Sequence, residues 1–246
     1  MGMRPHILLL AGSFEARRVG EGLSAAGLSY AAWLSEAPRG DAQMAQTPLL
    51  RRFETAARMQ EAVEEGGFTA ILDASHTFDR HVTVQAAACA NALGLPYLRL
   101  ERPAWEIEDP AWHAVPDVAA ANALIGAGMR VFCATGWESL PAFEDFHGAK
   151  LLLRQTRRHA RPAPYPFVKL VFGDPPFSAS DEQALFAMLG VDMLICRNLG
   201  GRASRPKLDA ASALGLEVVL IDRPPAPEGI TTVAQVKTAL EWADAL

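Results

Sequence analysis

The chain has 246 residues, of which 50% are hydrophobic and 21% charged, with 19 Gly and 17 Pro. This composition is typical of a globular protein with one large domain or two smaller ones, and it excludes collagenous, coiled-coil and disordered chains. The 23 Lys and Arg residues against 28 Asp and Glu residues leave a net charge of -5, which does not favour a nucleic-acid partner.

The cysteines and the apolar runs indicate the cellular compartment of this protein. Cys89, Cys133 and Cys196 lie far apart and form no Cys-x-x-Cys motif, so we expect reduced thiols and no zinc or other metal site. The longest apolar stretch near the start, residues 7–12, is too short to span a bilayer and is not followed by a secretory cleavage site. We therefore expect a soluble, cytoplasmic protein with no membrane partner.

The first hundred residues alternate short apolar strands with helices. The pattern predicts strands at residues 6–10, 30–34, 69–73 and 96–100, and helices at residues 15–23, 53–65 and 82–93. Right-handed crossovers between such strands produce a parallel sheet with helices on both faces. We predict an N-terminal Rossmann-like or flavodoxin-like α/β domain over residues 1–105.

The periodicity stops over residues 101–116, as expected of a connection between domains. It resumes with strands predicted at residues 130–134, 151–154, 168–172, 193–196 and 217–221, and helices at residues 181–189 and 207–214. We predict a second α/β domain with a parallel sheet over residues 106–246 and an active-site cleft between the two domains.

Ligands of open parallel sheets bind beyond the carboxyl ends of the strands, so the residues that follow each strand are the candidates. After the first strand, Gly12 and Ser13 lead directly into a helix, which suits either a phosphate site or a plain turn with Ser13 as the N-cap. After the second strand, Arg39 suits the 2′-phosphate of NADP or is a solvated loop residue. After the third strand, His76 is either a cofactor contact or a helix cap.

The second half has its main candidates after the strand that ends at Cys196. Gly200 and Gly201 allow close approach of a ligand to the backbone, and Lys207 would direct its ammonium group into the same space, unless it is simply solvated. Residues 154–161 contain four Arg and one His, which either bind several carboxylates or form an exposed basic loop.

Six segments carry motifs of one known family. Residues 11–16 (A-G-S-F-E-A), 37–40 (A-P-R-G), 73–78 (D-A-S-H-T-F) and 96–103 (P-Y-L-R-L-E-R-P) are similar to G-G-T-x-E-A, A-G-R, D-A-T-H-P-F and P-Y-x-R-x-E-R-P. Residues 134–136 resemble T-T-G, and residues 198–211 resemble N-S-G-G followed by K-x-x-A-A. In order and spacing these segments resemble the precorrin-6A reductase family of cobalamin (vitamin B12) biosynthesis, with departures at Phe14, Thr77 and Leu199.

The resemblance implies an NADPH-dependent oxidoreductase acting on a CH–CH group, which reduces a ring D double bond of precorrin-6A to give precorrin-6B. It implies NADPH in the N-terminal domain, with the macrocycle between the domains and Lys207 as the catalytic residue that supplies a proton or orients a water. The cofactor-binding residues are then Gly12, Ser13, Phe14, Glu15, Ser35, Arg39, Asp73, Ser75, His76, Thr77 and Phe78. The substrate-binding residues are Thr135, Gly136, Asn198, Gly200, Gly201 and Ser204.

The same resemblance sets the expected partners. The substrate is a small tetrapyrrole whose carboxylates would pair with residues 154–161, and the candidate protein partners are neighbouring enzymes of the cobalamin pathway. We expect a monomer or a weak dimer.

Three alternatives remain open at this point. The substrate carries cobalt in the anaerobic route, and the sequence does not separate the two substrates. A short-chain-like reductase would need a Tyr-x-x-x-Lys pair, which only Tyr165 and Lys169 match, in a Pro-flanked strand rather than a helix. A non-catalytic nucleotide-binding or tetrapyrrole-binding module would bind its ligand without turnover.

Overall fold

The computed structural model describes residues 5–37 and 43–246, and the chain divides into two units. The first unit comprises the residues up to Pro103 together with Pro224–Leu246, and the second comprises Ala104–Arg223. Each unit contains a six-stranded parallel sheet, which confirms the predicted α/β class with two Rossmann-like sheets. In the described part of the chain, no helix is both long enough and apolar enough to cross a membrane.

The strands and helices occur in the order expected of repeated crossover units. The strands are β1 (His6–Ala11), β2 (Ser29–Leu34), β3 (Leu49–Leu50), β4 (Ala70–Asp73), β5 (Tyr97–Leu100), β6 (Trp112–Val115), β7 (Arg130–Ala134), β8 (Lys150–Gln155), β9 (Val168–Phe172), β10 (Met193–Arg197), β11 (Glu217–Ile221) and β12 (Thr231–Val233). The helices are α1 (Phe14–Ala25), α2 (Ala56–Glu65), α3 (Arg80–Leu93), α4 (Val118–Ala123), α5 (Ala179–Leu189), α6 (Pro206–Ala213) and α7 (Val236–Asp244), with a 3-10 helix at Trp137–Phe143.

The first sheet has the strand order β12-β5-β4-β1-β2-β3 and is covered on both faces. Successive side chains of a strand point to opposite faces. Accordingly, Ile7 and Leu9 of β1 pack in the core that α1 and α7 cover, whereas Leu8 and Leu10 pack in the core with α2 and α3. Burial on both faces explains why β1 is an unbroken apolar run.

The C-terminal segment differs from the predicted domain division. Residues 224–246, which the sequence interpretation assigns to the second domain, return to the first unit. There β12 pairs in parallel with β5, and Ala239 and Ala243 of α7 are fully buried in the first core. The sequence interpretation keeps the chain end with the domain that precedes it. In the structure this distant segment pairs with the edge of β5 and covers one face of the first sheet.

The second sheet has the strand order β6-β11-β10-β7-β8-β9. Its first strand, β6, lies inside residues 101–116, where the sequence predicts only a connection, and that prediction is wrong for Trp112–Val115. Backbone pairing with β11 makes this segment a strand, with Trp112 opposite Val218. The segment has only four residues, and the two in the middle are exposed, so it shows no hydrophobic period.

The packing of α7 against the first unit can be tested by burying a charge there. Replacement of Ala239 by Asp would place a carboxylate without a partner in the core, so we expect the free energy of unfolding to fall by about 3 kcal/mol or more. The control is Lys237→Ala on the exposed side of α7, where we expect a change below about 0.5 kcal/mol. Urea denaturation followed by circular dichroism measures both, and equal effects would contradict the observed packing.

Candidate active site

The strand order of the first sheet reverses between β1 and β4, and the turns after these two strands lie side by side. The chain passes from β1 outward to β2 and β3 and then returns to β4 on the other side of β1, which creates the crevice where parallel sheets bind ligands. The Ser13 hydroxyl donates to the Ala74 carbonyl oxygen at 2.8 Å and accepts from the Ala16 N–H at 3.1 Å. Ser13 therefore both caps α1 and ties the two turns together.

Gly12 leaves no room for a side chain at this crevice. A Cβ atom at Gly12 would lie 2.8 Å from the backbone nitrogen of His76, closer than such contacts occur. The exposed backbone of Gly12 is thus held beside the N-terminus of α1, whose first N–H groups and dipole favour an anion. These residues fit the phosphate role that the sequence predicts for this turn.

A buried network of polar side chains supports the turn after β4. Asp73 is fully buried and accepts hydrogen bonds from Arg99 Nη1 at 2.7 Å, the Tyr97 hydroxyl at 2.7 Å and the Ser75 N–H at 2.9 Å. Arg99 also donates to the Ser75 hydroxyl oxygen at 2.8 Å and to Glu101 at 3.2 Å. Burial and the neighbouring Asp73 raise the pKa of Tyr97, which keeps it a hydrogen-bond donor.

The network changes the interpretation of several predicted cofactor contacts. The side chains of Asp73 and Ser75 are buried and hydrogen-bonded to Arg99, and Asp73 also to Tyr97, so they support the shape of the turn from below. Thr77 is also buried, while His76 and Phe78 remain partly accessible. His76 Nδ1 accepts from the Phe78 N–H at 3.2 Å within the turn. The helix cap of α3 is Asp79, which accepts from the Val82 N–H, so the capping alternative for His76 is wrong.

Two further predicted cofactor residues follow Ser13 on α1. Phe14 is half exposed, and the guanidinium of Arg17 lies 5.4 Å from the centre of its ring. Glu15 forms a partly buried ion pair with Arg102, so its carboxylate joins α1 to the segment after β5.

A cavity of about 550 Å³ lies at the carboxyl ends of β1 and β2, next to the start of α3. This volume is within the range of small-molecule sites. Its lining residues come from β1, β2, α2 and α3 and from the segments that follow β2 and β3: Leu10, Ala11, Trp33, Leu34, Ser35, Glu36, Arg51, Arg52, Phe53, Glu54, Met59, Asp79, His81, Val82 and Gln85. The predicted Ser35 is among them, and its hydroxyl donates to Asp79. The predicted Arg39 lies outside the described residues.

In the second unit, the loop after β10 is held from both sides by side chains near the ends of the unit. Asn198 is buried, accepts from the Trp105 N–H at 2.8 Å and donates to the Trp105 carbonyl oxygen at 2.9 Å. Arg223 donates to the carbonyl oxygens of Asn198 and Leu199. Gly200 and its successor Gly201 both have positive φ, 64° and 72°, a conformation that favours glycine.

Lys207 stands one residue inside α6 and points back at this loop. Its Nζ donates to the Ser204 carbonyl oxygen at 2.6 Å and lies 5.6 Å from the centre of the Trp105 ring. Burial lowers the pKa of Lys207 below its ordinary value of 10.5, although nearby Cys196 and Glu182 oppose that shift. The predicted substrate residue Ser204 therefore contacts Lys207 through its backbone carbonyl oxygen.

The predicted basic stretch divides into a buried and an exposed part. The buried guanidinium of Arg154 contacts both carboxylate oxygens of Glu182, at 2.7 and 2.9 Å, and lies 4.2 Å from the centre of the Phe177 ring. Burial raises the pKa of Glu182 and lowers that of Arg154, and their ion pair opposes both shifts. Arg154 is therefore structural and is not available to substrate carboxylates.

The exposed part forms a cluster of cations and aromatic rings at the carboxyl edge of the second sheet. The guanidinium of Arg161 lies 4.1 Å from the centre of the Trp137 ring, and that of Arg158 lies 6.0 Å from Phe172. His159 contacts both rings edge to face, at 5.3 and 5.4 Å. We call these five residues the aromatic–cationic cluster.

The predicted substrate residues Thr135 and Gly136 lie at the end of β7, next to Trp137. Thr135 is buried, and its hydroxyl is within 2.9 Å of the Cys133 sulfur and 2.5 Å of the Ser139 hydroxyl oxygen. Thr135 therefore holds the turn, whereas Gly136, with φ of 93°, leaves its backbone partly accessible.

Several residues at the carboxyl edges of the two sheets are not predicted from the sequence. Arg51 and Arg52 follow a strand of only two residues, which is too short to recognise as a strand. Trp105 and Arg223 contact the loop after β10 across long distances in sequence, so they belong to no local pattern. A dibasic pair after a Leu-Leu pair is the single local signal that could have drawn attention to Arg52.

The buried network can be tested through its cation. Replacement of Arg99 by Met leaves the Asp73 carboxylate buried without its ion pair, so we expect the free energy of unfolding to fall by about 3–5 kcal/mol. The matched control is Arg58→Met, which removes an exposed, solvent-screened pair with Glu61 and should leave the free energy of unfolding close to that of the wild type. Chemical denaturation of both variants decides the matter, and equal small losses would contradict a structural role for Arg99.

Comparison with known proteins connects these features to one family. Residues 6–244 match the family described as Precorrin-6x reductase CbiJ/CobK. The precorrin-6A reductase of Rhodococcus erythropolis is 33% identical over 243 residues, 98% of either chain, and that of Mycobacterium tuberculosis H37Rv is 38% identical over 181 residues, 73% of either chain. A solved structure of CobK precorrin-6A reductase is similar with a TM-score of 0.89 and 27% identity, covering 98% of this chain and 96% of that one. This chain belongs to the precorrin-6x reductase family.

Proposed function

We propose that this protein reduces a ring D double bond of precorrin-6A with NADPH and so forms precorrin-6B. Membership of the reductase family supports the reaction class. One observation carries the cofactor assignment. The Gly12 turn and the cavity lined by Arg51 and Arg52 both lie at the carboxyl edge of the first sheet. Together they offer an anion site and a nucleotide-sized space at the position where such sheets bind dinucleotides.

The first unit supplies the nucleotide site in this proposal. The backbone at Gly12 and the start of α1 would hold the pyrophosphate, with Ser13 fixing the turn. The rings of Trp33 and Phe53 would line the adenosine space. When bound, NADPH supplies the hydride.

The second unit supplies the proton in this proposal. Reduction of a carbon–carbon double bond needs a proton at the neighbouring carbon, and a lysine with a lowered pKa is a suitable general acid. Lys207 meets this condition because burial weakens its hold on the proton. Its bond to the Ser204 carbonyl oxygen fixes the ammonium group at the segment between β10 and α6, in which the backbone of Gly200 and Gly201 would line the substrate.

The aromatic–cationic cluster suits the substrate's own chemistry. A macrocycle with several carboxylates presents both a flat conjugated face and a ring of negative charge. Arg158 and Arg161 are exposed cations, and Trp137 offers a ring at the same edge of the sheet. We assign the carboxylates of precorrin-6A to this cluster.

Anaerobic mixing of the protein with NADPH and metal-free precorrin-6A tests the proposed reaction. We expect the loss of NADPH absorbance to accompany a shift of the macrocycle spectrum, one NADPH for each macrocycle. A parallel reaction contains cobalt-precorrin-6A, and turnover of that substrate alone would assign the cobalt-bearing reaction instead. Nucleotide binding without turnover of either macrocycle would indicate a binding module.

The role of Lys207 predicts a loss of rate without a loss of cofactor. We expect Lys207→Met to lower kcat about 100- to 10,000-fold while NADPH affinity, followed by fluorescence titration, stays unchanged. Because a general acid works only when protonated, the kcat/KM profile of the wild type should fall at high pH with a midpoint below 10.5, and the variant should lack this limb. Lys169→Met, an exposed lysine of the same unit, is the control. A variant with normal kcat would show that Lys207 is not the acid.

The aromatic–cationic cluster predicts a change in KM. Charge reversal in Arg158→Glu and Arg161→Glu should raise the KM for precorrin-6A more than it lowers kcat, because contacts remote from the reacting bond bind ground state and transition state alike. Lys169→Glu makes the same charge change outside the cluster. If salt leaves the wild-type KM unchanged, or if all three variants behave alike, the carboxylates bind elsewhere.

A further inference from the structure

The segment that follows β3 carries an exposed guanidinium into the nucleotide cavity. From this geometry we infer that Arg52 recognises the 2′-phosphate of the nucleotide and sets a preference for NADPH over NADH. The inference rests on the proposed function, because it concerns which nicotinamide nucleotide the first unit selects.

Arg52 is anchored at the end of β2. Its Nε donates to the Ser35 carbonyl oxygen at 2.5 Å, and the Arg51 N–H donates to the Leu34 carbonyl oxygen at 2.8 Å. The end of the second strand is where Rossmann-like proteins contact the adenosine ribose and distinguish its 2′-hydroxyl from a 2′-phosphate. The backbone pairing of Arg51 and the bond from Nε therefore hold the Arg52 guanidinium beside the ribose position.

The other side of the segment is fixed to α3. The Phe53 carbonyl oxygen accepts from Gln85 Nε2 at 3.2 Å and lies 3.3 Å from His81 Nε2. The Phe53 ring packs against Trp33, with their centres 5.4 Å apart. Because both flanks of Arg52 are fixed, its guanidinium is placed before a ligand binds, and less conformational entropy is lost on binding.

Arg52 keeps donors for a phosphate. The bond to Ser35 uses only Nε, so the two terminal nitrogens of the guanidinium can point at a phosphate in the forked geometry that arginine provides. Within residues 5–37 and 43–246, no carboxylate forms an ion pair with Arg51 or Arg52. An exposed arginine pair that forms no ion pair with the described carboxylates is suited to a dianionic group.

Three carboxylates also line the cavity, and a carboxylate there would favour NADH instead of NADPH. Asp79 accepts from the Ser35 hydroxyl and caps α3 at Val82, so its oxygens are engaged. Glu36 is exposed and already interacts with another residue, and Glu54 is exposed. An acidic residue near the end of the second strand favours the ribose hydroxyls of NADH, so a wild type that prefers NADH would overturn the inference.

The experiment uses nucleotide fragments without the nicotinamide, so that its outcome does not depend on turnover. Calorimetric titration of the full-length protein with adenosine 2′,5′-bisphosphate and with adenosine 5′-monophosphate measures the contribution of the 2′-phosphate. We expect the wild type to prefer the bisphosphate, and Arg52→Gln to weaken bisphosphate binding about 10- to 100-fold while leaving 5′-monophosphate binding unchanged. Arg52→Lys, which keeps the charge but not the fork, should lie in between.

Two further variants locate the effect. Arg58→Gln changes an exposed arginine outside the cavity lining and should bind both fragments as the wild type does. Arg39→Gln tests the residue that the sequence predicts for the same role, and loss of the preference only in that variant would overturn the assignment to Arg52.

The remaining outcomes separate this inference from the proposed function. If Arg52→Gln keeps the preference for the bisphosphate and still oxidises NADPH with precorrin-6A, the inference is wrong and the proposed function stands. If the wild type binds neither fragment nor NADPH, both are wrong. A matching fall in kcat/KM for NADPH, with no change for NADH, would support the role of Arg52 in the intact enzyme.

Discussion

The buried ion pair between Arg99 and Asp73 is the interaction on which the carboxyl edge of the first sheet depends. Asp73 ends β4 and Arg99 lies in the adjacent β5, so the pair joins two strands at the point where the turn to α3 begins. Both side chains are almost completely buried, and a charge left there alone would be costly. The shape of the turn, and with it the position of His76 beside Gly12, follows from satisfying these two charges.

Each unit pairs an almost completely buried arginine with a buried carboxylate and leaves other arginines exposed at the carboxyl edge of its sheet. Arg99 pairs with Asp73 in the first unit, and Arg154 pairs with Glu182 in the second. Arg52, Arg158 and Arg161 are exposed. Arg52 donates to a carbonyl oxygen, and Arg158 and Arg161 lie against aromatic rings, but contacts of these kinds do not neutralise a positive charge. Burial therefore separates the arginines that hold the fold from those that are available to phosphates or carboxylates.

Long-range pairing builds much of the surroundings of these sites. The segment 51–54 becomes a cavity wall because β3 pairs with β2 and because α3 binds the Phe53 carbonyl oxygen. The chain end becomes part of the first unit because β12 completes the sheet beside β5 and α7 covers its core. In the second unit, Trp105 holds the loop after β10 through Asn198, 93 residues away in sequence.

The sequence by itself determined the α/β class, the order of the main strands and helices, and the turns after β1, β4 and β10, because apolar run length and capping residues are local properties. Three of the six family motifs also lie in those turns, at residues 11–16, 73–78 and 198–211, so much of the resemblance is carried by local sequence. Only the tertiary structure decided which polar residues of these motifs are buried. Asp73 and Asn198 hold the turns because their partners come from other elements, and Arg52 reaches the cavity because a two-residue strand pairs with β2. Burial and partner choice depend on contacts between distant segments, which no local pattern encodes.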